Sequence, residues 1–191
     1  MLNKLFPQTD YGKIKYDTEG LYSLTNYCEA DLISKIILEL FNDISNLTIM
    51  DGTGGIGGNS ISFCKFFKQV TTLEIDNNRY EILKNNISLY EYKNIKILNE
   101  DSIDYLFKNS NKYNIYFFDP PWGGRDYKKN NNLILKIGNY NLFEIINKLK
   151  ETTFDKLIIF KLPFNYNFME FNCYNYKLYK INKYFIIIIL I

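Results

Sequence analysis

Asp119-Pro120-Pro121-Trp122-Gly123-Gly124 carries the densest chemistry in this chain. Two successive prolines fix φ and lack amide donors, so they hold an extended turn whose carbonyls can face a ligand. An exocyclic amine on a nucleic-acid base has its lone pair delocalised into the ring. Acceptors that take both amine hydrogens pull the nitrogen toward tetrahedral geometry and aim that lone pair. The Asp119 carboxylate and the Pro120 carbonyl can be those acceptors, and Trp122 can stack on the base, a contact worth ~1–3 kcal/mol per base. A cationic base would add roughly 0.5–2 kcal/mol of cation–π attraction. Gly123 and Gly124 keep space open beside the indole. The chemistry expected of Asp119, Pro120 and Trp122 is methylation of a base amine by a sulfonium methyl donor. A β-turn with a buried Trp is the plainer alternative.

A methyl donor needs a place to bind, and Asp51-Gly52-Thr53-Gly54-Gly55-Ile56-Gly57-Gly58-Asn59 suits one. It follows an apolar run and opens a helical one, where glycines allow close approach and helix-terminal amides face a ligand. Gly52, Gly54 and Gly57 match GxGxxG, with Glu74 about 20 residues on, a pattern shared by dinucleotide and S-adenosylmethionine binders. Asn59 stands where a phosphate-binding loop would need Lys. Asp51 favours S-adenosylmethionine, because its charge suits a cationic amino-sulfonium group and would repel a pyrophosphate. The expected cofactor contacts here are Asp51, Gly52, Thr53, Gly54, Gly57 and Asn59. Glu74 is the first choice for the ribose hydroxyls. Asp76 is the second, and Asp76 or Asn77 also suits a helix N-cap. Asp101 fits either an adenine amino contact or an N-cap for the helix near Ser102, and Asp119 is counted as a cofactor contact as well.

Composition narrows the remaining chemistry. The chain has no histidine, which removes His triads, His acid–base catalysis and His metal ligands. Cys28, Cys64 and Cys173 lie far apart without a CxxC pair, so reduced thiols in an intracellular protein are expected, with neither disulfides nor a metal site. The net charge of +2 favours a small nucleic-acid target or a local basic patch over broad phosphate neutralisation. The abundant Asn, Lys, Ile and Tyr suggest an AT-rich genome. The N-terminal apolar run is too short for a signal peptide, and Tyr184 to Ile191 is far short of the ~20 residues of a membrane helix. No membrane role is expected.

The elements that must position these residues alternate. Helical spacing runs over Glu29–Phe41, Asn59–Phe67, Arg79–Tyr90, Ser102–Phe107 and Leu142–Leu149. Strands are expected at Leu47–Met50, Val70–Ile75, Ile95–Leu98, Ile115–Phe118 and Lys156–Lys161, followed by a hairpin of Tyr174–Lys180 and Lys183–Leu190. The pattern predicts an α/β fold with a mostly parallel seven-stranded sheet and a C-terminal antiparallel hairpin. One domain over 1–191 is expected, with 1–27 as a short irregular extension broken by Pro7, Gly12 and Gly20.

The motifs together resemble those of the trimethylguanosine synthase family. The resemblance runs through Ile14–Thr25, Ile49–Ile61, Glu74-Ile75-Asp76, Asp119–Gly124 and Phe160-Lys161-Leu162-Pro163, nearly the whole chain. It implies a Rossmann-like class I methyltransferase fold, S-adenosylmethionine without metal, and guanine-N2 methylation of 7-methylguanosine-capped RNA by a monomer. It implies cofactor contacts at Asp51, Glu74 and Asp101, stacking of Trp122 on the methylated guanine, and Ser23 and Thr25 near the cofactor or cap. Arg125 and Lys128 directly follow the motif and could meet the cap phosphates. The chain departs from the family at Asp119, commonly Ser there, and at Phe164, where an Arg is expected. The other readings are guanine or adenine amine methylation in ribosomal RNA or DNA, and a methyltransferase-fold binding subunit without turnover.

Overall fold

Asp17, Asn26, Asp76 and Asn141 each place a side-chain oxygen on an amide of the helix that follows, and so begin four of the helices. They cap α1 (Thr18–Ser23), α2 (Tyr27–Leu38), a helix at Asn77–Ser88 and one at Leu142–Lys150. At the last of these, Glu144 returns a bond to the Asn141 amide, completing a capping box. The structure is a computed structural model that describes residues 1–191, the side chain of Arg125 excepted. In chain order its strands are β1 (Thr48–Asp51), β2 (Gln69–Leu73), β3 (Ile95–Leu98), β4 (Ile115–Phe118), β5 (Lys136–Ile137), β6 (Tyr140–Asn141), β7 (Leu157–Pro163), β8 (Tyr176–Ile181) and β9 (Tyr184–Leu190). The later helices are α3 (Gly58–Phe66), α4 (Asn77–Ser88), α5 (Ser102–Lys108) and α6 (Leu142–Lys150).

The seven-stranded sheet has the order β3-β2-β1-β4-β7-β9-β8. Its first three strands and the last four fall in two compact units, Met1–Ser102 and Ile103–Ile191. In the first unit β1 pairs parallel with β2, and β2 with β3. In the second unit β4 pairs parallel with β7, while β9 runs antiparallel to both β7 and β8. The predicted mostly parallel sheet and terminal hairpin are therefore present. The hairpin turns through Asn182, which adopts φ +49, a conformation that Asn tolerates better than most residues. A two-stranded β5–β6 ribbon, too short to leave a sequence pattern, is the addition.

The apolar runs explain the second unit. β4 and β7 are buried along their whole length, as a strand covered on both faces must be. Phe118, Phe160, Phe171 and Tyr166 stack in succession, with ring centroids 5.8, 6.4 and 5.6 Å apart.

The first 27 residues are more ordered than the Pro and Gly breakers suggest. They form two 3-10 turns, Leu2–Lys4 and Tyr11–Lys13, followed by α1. α1 is too short and polar to show helical periodicity, and its start depends on Asp17 accepting from the Gly20 amide at 2.7 Å. Phe6 and Ile14 pack into a cluster with Ile56, Ile61, Ile82, Leu83 and Ile87. Asn86, fully buried on α4, is the polar centre of this docking. Its Oδ1 accepts from the Lys15 amide, and its Nδ2 donates to the carbonyls of Lys15 and Ile56, all at 2.9 Å. Arg79 adds ion pairs to Asp17 at 3.2 Å and Glu19 at 2.7 Å. The segment before α2 is thus fastened to the loop between β1 and α3.

Replacing Asn86 by Leu leaves three backbone groups without a partner, at a cost of about 1–3 kcal/mol for each group that water cannot reach. A total loss of ~2–4 kcal/mol is expected in urea denaturation. Faster hydrogen exchange at the Lys15 amide should accompany it.

Candidate active site

In the first unit the candidate residues gather at the carboxyl ends of β1 and β2. Asp51 ends β1 fully buried. Its Oδ2 accepts from Ser60 Oγ at 2.6 Å and its Oδ1 from the Thr53 amide at 3.2 Å. Ser60 Oγ lies 2.9 Å from Thr72 Oγ1, so a carboxylate, two hydroxyls and an amide tie the loop to both strands. Gly54 donates to the Leu73 carbonyl at 2.8 Å. A Cβ there would lie 2.4 Å from Thr72 Oγ1 and 2.8 Å from Leu83 Cδ2. At Gly58 it would lie 2.6 Å from both Leu24 Cδ1 and the Thr25 carbonyl. These two glycines are therefore required by the protein's own packing. Close approach of a ligand, the sequence-based reason for them, is not needed to explain either.

Glu74 is buried just past β2. Its Oε2 accepts from the Gly55 amide and its Oε1 from the Asp76 amide, both at 2.9 Å. Burial pushes its carboxyl above the ordinary range, against those two amides and the Arg79 guanidinium, which pull it down. Asp76 is the N-cap of α4, accepting from the Arg79 amide at 2.8 Å. Asn99 donates to the Glu74 carbonyl at 2.8 Å, joining the end of β3 to the end of β2, and Asp101 immediately precedes α5. Asn59 is buried, with its amide on Thr25 Oγ1 at 3.2 Å, while its Oδ1 has no hydrogen-bond partner. Thr25 thus meets the glycine loop. Ser23 is exposed at the end of α1, its hydroxyl donating to the Glu19 carbonyl at 3.0 Å.

In the second unit the turn after β4 carries Asp119, Pro120 and Trp122. The parallel register aligns Phe118 with Phe160, which brings their successors, Asp119 and Lys161, side by side. Lys161 Nζ reaches Asp119 Oδ2 at 2.6 Å, with side chains only 6% and 15% exposed. Burial pushes the Asp119 carboxyl up, while the Lys161 ammonium and its hydrogen bond pull the other way. The ammonium also lies 5.2 Å from the Trp122 ring centroid and 4.7 Å from that of Tyr184. Trp122 donates from Nε1 to the Lys161 carbonyl at 3.4 Å and meets Tyr127 edge-on at 5.2 Å. Pro120 is buried. Gly123 and Gly124, at φ +90 and +73, have nothing within 4 Å of where a Cβ would stand. Lys128 is exposed, with its ammonium 5.8 Å from the Tyr127 ring centroid. Arg125, expected to contact substrate, lies outside the described side chains.

Lys161, Tyr184 and Tyr127 are the residues that sequence reasoning did not assign to the site. Lys161 left one signal: it is a lone charge inside the apolar run Leu157–Pro163, where a buried ion needs a partner. Among the described residues no group of three or more Cys, Asp or Glu is placed to hold a metal ion. None of the described helices is long and apolar enough to cross a membrane.

Residues 46–189 match the model of the RNA cap guanine-N2 methyltransferase family. An uncharacterised protein of Acanthamoeba polyphaga mimivirus is 34% identical over 204 residues, covering 94% of this chain and 79% of that protein. The trimethylguanosine synthase of Schizosaccharomyces pombe is 28% identical over 176 residues, covering 89% and 71%. In fold, the chain is similar to a T. thermophilus 16S rRNA N2 G1207 methyltransferase solved with AdoMet and guanosine. The TM-score is 0.63 at 13% identity, over 94% of this chain and 44% of that one.

Gly54→Ala forces a methyl group into Thr72 Oγ1 and Leu83. The expected cost is ~1–3 kcal/mol of overpacking, read as a lower midpoint in chemical denaturation. Gly124→Ala meets open space, and its cost should stay near the ~1–2 kcal/mol of its left-handed backbone alone.

Proposed function

We propose, since the chain belongs to the RNA cap guanine-N2 methyltransferase family, that it methylates the exocyclic amine of a 7-methylguanosine RNA cap. Membership makes it an S-adenosylmethionine-dependent RNA methyltransferase of the guanine-N2 type. The observation that carries it is Trp122, half-buried beside Asp119 with two open glycines following it. An indole so held offers a planar base a stacking surface next to an acceptor for its amine.

The residues of the first unit fit the cofactor. The buried Asn59 Oδ1 lacks a donor, which an ammonium group would supply. Glu74 has both oxygens anchored by amides, and a carboxylate so held retains lone pairs for two ribose hydroxyls. Gly52, Thr53, Gly54 and Gly57 would line the methionine end, with Asp51 supplying negative charge and Asp76 and Asp101 flanking the nucleoside. When bound, S-adenosylmethionine supplies an electrophilic methyl on a positively charged sulfur that leaves as a neutral thioether.

The chain's own contribution is alignment and electrostatics. Asp119 and the Pro120 carbonyl take the two amine hydrogens, so the nitrogen lone pair points outward. Trp122 holds the base plane. As the nitrogen–carbon bond forms, the nitrogen sheds a proton, which the Asp119 carboxylate receives and passes to water. Lys128 and Arg125 would meet the cap phosphates, and Ser23 and Thr25 would lie near the cofactor or the cap. An enzyme acting on capped RNA would work inside a cell, and the mimivirus relative supports a viral enzyme working in its host.

One observation favours a second acceptor. The Lys161 ammonium already lies against the Trp122 ring, and a cationic 7-methylguanine would share that ring with it. An uncharged guanine, as in ribosomal RNA, meets no such competition.

Mass spectrometry after incubation with cofactor separates the two readings. Methyl transfer to 7-methylguanosine diphosphate and none to guanosine diphosphate is the result expected. Transfer to guanosine diphosphate or a ribosomal RNA fragment alone would refute the cap. Trp122→Ala should raise KM for the cap nucleotide about 5- to 150-fold, the equivalent of ~1–3 kcal/mol of stacking. Its affinity for S-adenosylhomocysteine, measured by calorimetry, should be unchanged; equal loss of both would contradict the stacking role.

A further inference from the structure

We propose that Lys161 is a positioning residue for methyl transfer, whose ammonium keeps Asp119 in the carboxylate form that accepts the amine hydrogens. This rests on the reading of Asp119 as the amine acceptor. The geometry behind it is a 2.6 Å contact between two side chains that are almost wholly out of water. A carboxyl buried alone takes up a proton, and a protonated Asp119 would offer the amine an O–H donor where an acceptor is needed. The parallel β4–β7 register fixes the partner, and Lys161 is held from three directions. Asp119 takes its charge, and the Trp122 and Tyr184 rings face its ammonium. Burial raises the Asp119 carboxyl, and Lys161 is the charge that opposes the rise.

The side chain of Arg125, on the turn that follows Trp122, lies outside the described ones; among the described residues of this unit no other buried cation stands beside the pair. Tyr184 on β9 and Tyr127 on the 3-10 turn Gly124–Lys129 present phenols. On the same turn Asp126 and Lys129 pair with each other at 2.7 Å, both 77% exposed, and Lys128 is exposed. Among the described residues, Lys161 is the buried cation at Asp119. In the reaction the nitrogen–carbon bond forms as the carbon–sulfur bond breaks, and the bonding pair of that bond stays on sulfur. The proton lost by nitrogen goes to the Asp119 carboxylate, which must therefore begin each turnover ionised.

The test is the pH dependence of kcat for wild type, Lys161→Met, Lys161→Arg and Asp119→Asn, on whichever guanine nucleotide the enzyme methylates. Removing the ammonium raises the Asp119 pKa further, so the acid limb of the Lys161→Met profile should move up by about 1–3 pH units. The activity it loses at neutral pH should return as pH rises, while KM changes little. Lys161→Arg should keep the wild-type limb, and Asp119→Asn should abolish it. The carboxyl carbon NMR signal of Asp119, followed in the protein without substrate, should titrate at higher pH in Lys161→Met than in wild type. S-adenosylhomocysteine affinity should stay unchanged in Lys161→Met and Lys161→Arg. A kcat lowered equally at every pH, an unmoved Asp119 titration, or a wild-type limb surviving in Asp119→Asn overturns the role of Lys161. Wild type inactive on every guanine acceptor overturns the functional reading, and Lys161's part in turnover with it, even where the Asp119 titration moves as expected. If Lys161→Met does not fold, Lys161→Arg and Asp119→Asn still decide the assignment of the limb.

Discussion

A carboxylate and an ammonium are held 2.6 Å apart in the second half of the molecule, almost wholly out of water. Their removal from water is costly, and breaking such a pair by deleting one partner typically costs ~3–5 kcal/mol. The surrounding structure is arranged around that constraint. β4 and β7 must keep the register that brings Asp119 to Lys161. Trp122 and Tyr184 must present ring faces to the ammonium, and the Trp122 indole must reach the Lys161 carbonyl. The motif with the most chemistry is thus built on a charge pair, and its aromatic member is oriented by the same lysine that neutralises its acid.

The glycine loop follows a comparable logic with different interactions. Asp51, Ser60, Thr72 and the Thr53 amide form one buried network. The side-chain-free positions at Gly54 and Gly58 let that network and the Leu24–Thr25 backbone close on the loop. Glu74 spends one hydrogen bond from each oxygen on the backbone, so its position is set before any ligand arrives. A loop shaped by its own packing is preorganised, and preorganisation is what electrostatic catalysis and cofactor affinity both require.

Much of this was legible from residue types alone. The strand–helix alternation gave the sheet, and the two motif loops fell at strand ends as expected. The N-terminal 27 residues were harder. α1 has six residues, too few for periodicity; Asp17 caps it, Arg79 pairs with Asp17, and Asn86 fastens Lys15 just before it, the last two bonds spanning 60 or more positions. Asp76 illustrates a residue with two compatible readings, and the structure places it as the cap of α4.

By itself the sequence determined the fold class, the glycine loop after β1 and the Asp119–Trp122 turn after β4, because each depends on local spacing, backbone stiffness and apolar periodicity. Only the tertiary structure decided that Lys161, 42 residues beyond Asp119, is its partner. Parallel strands are joined by long crossovers, so their register leaves no trace in local sequence. It also decided that Gly54 and Gly58 serve the protein's own packing, since the atoms they make room for come from β2, α4 and the 24–25 segment. Contacts between residues distant in the chain exist only once the chain has folded, and the pairing of Asp119 with Lys161 and the close packing around Gly54 and Gly58 are of that kind.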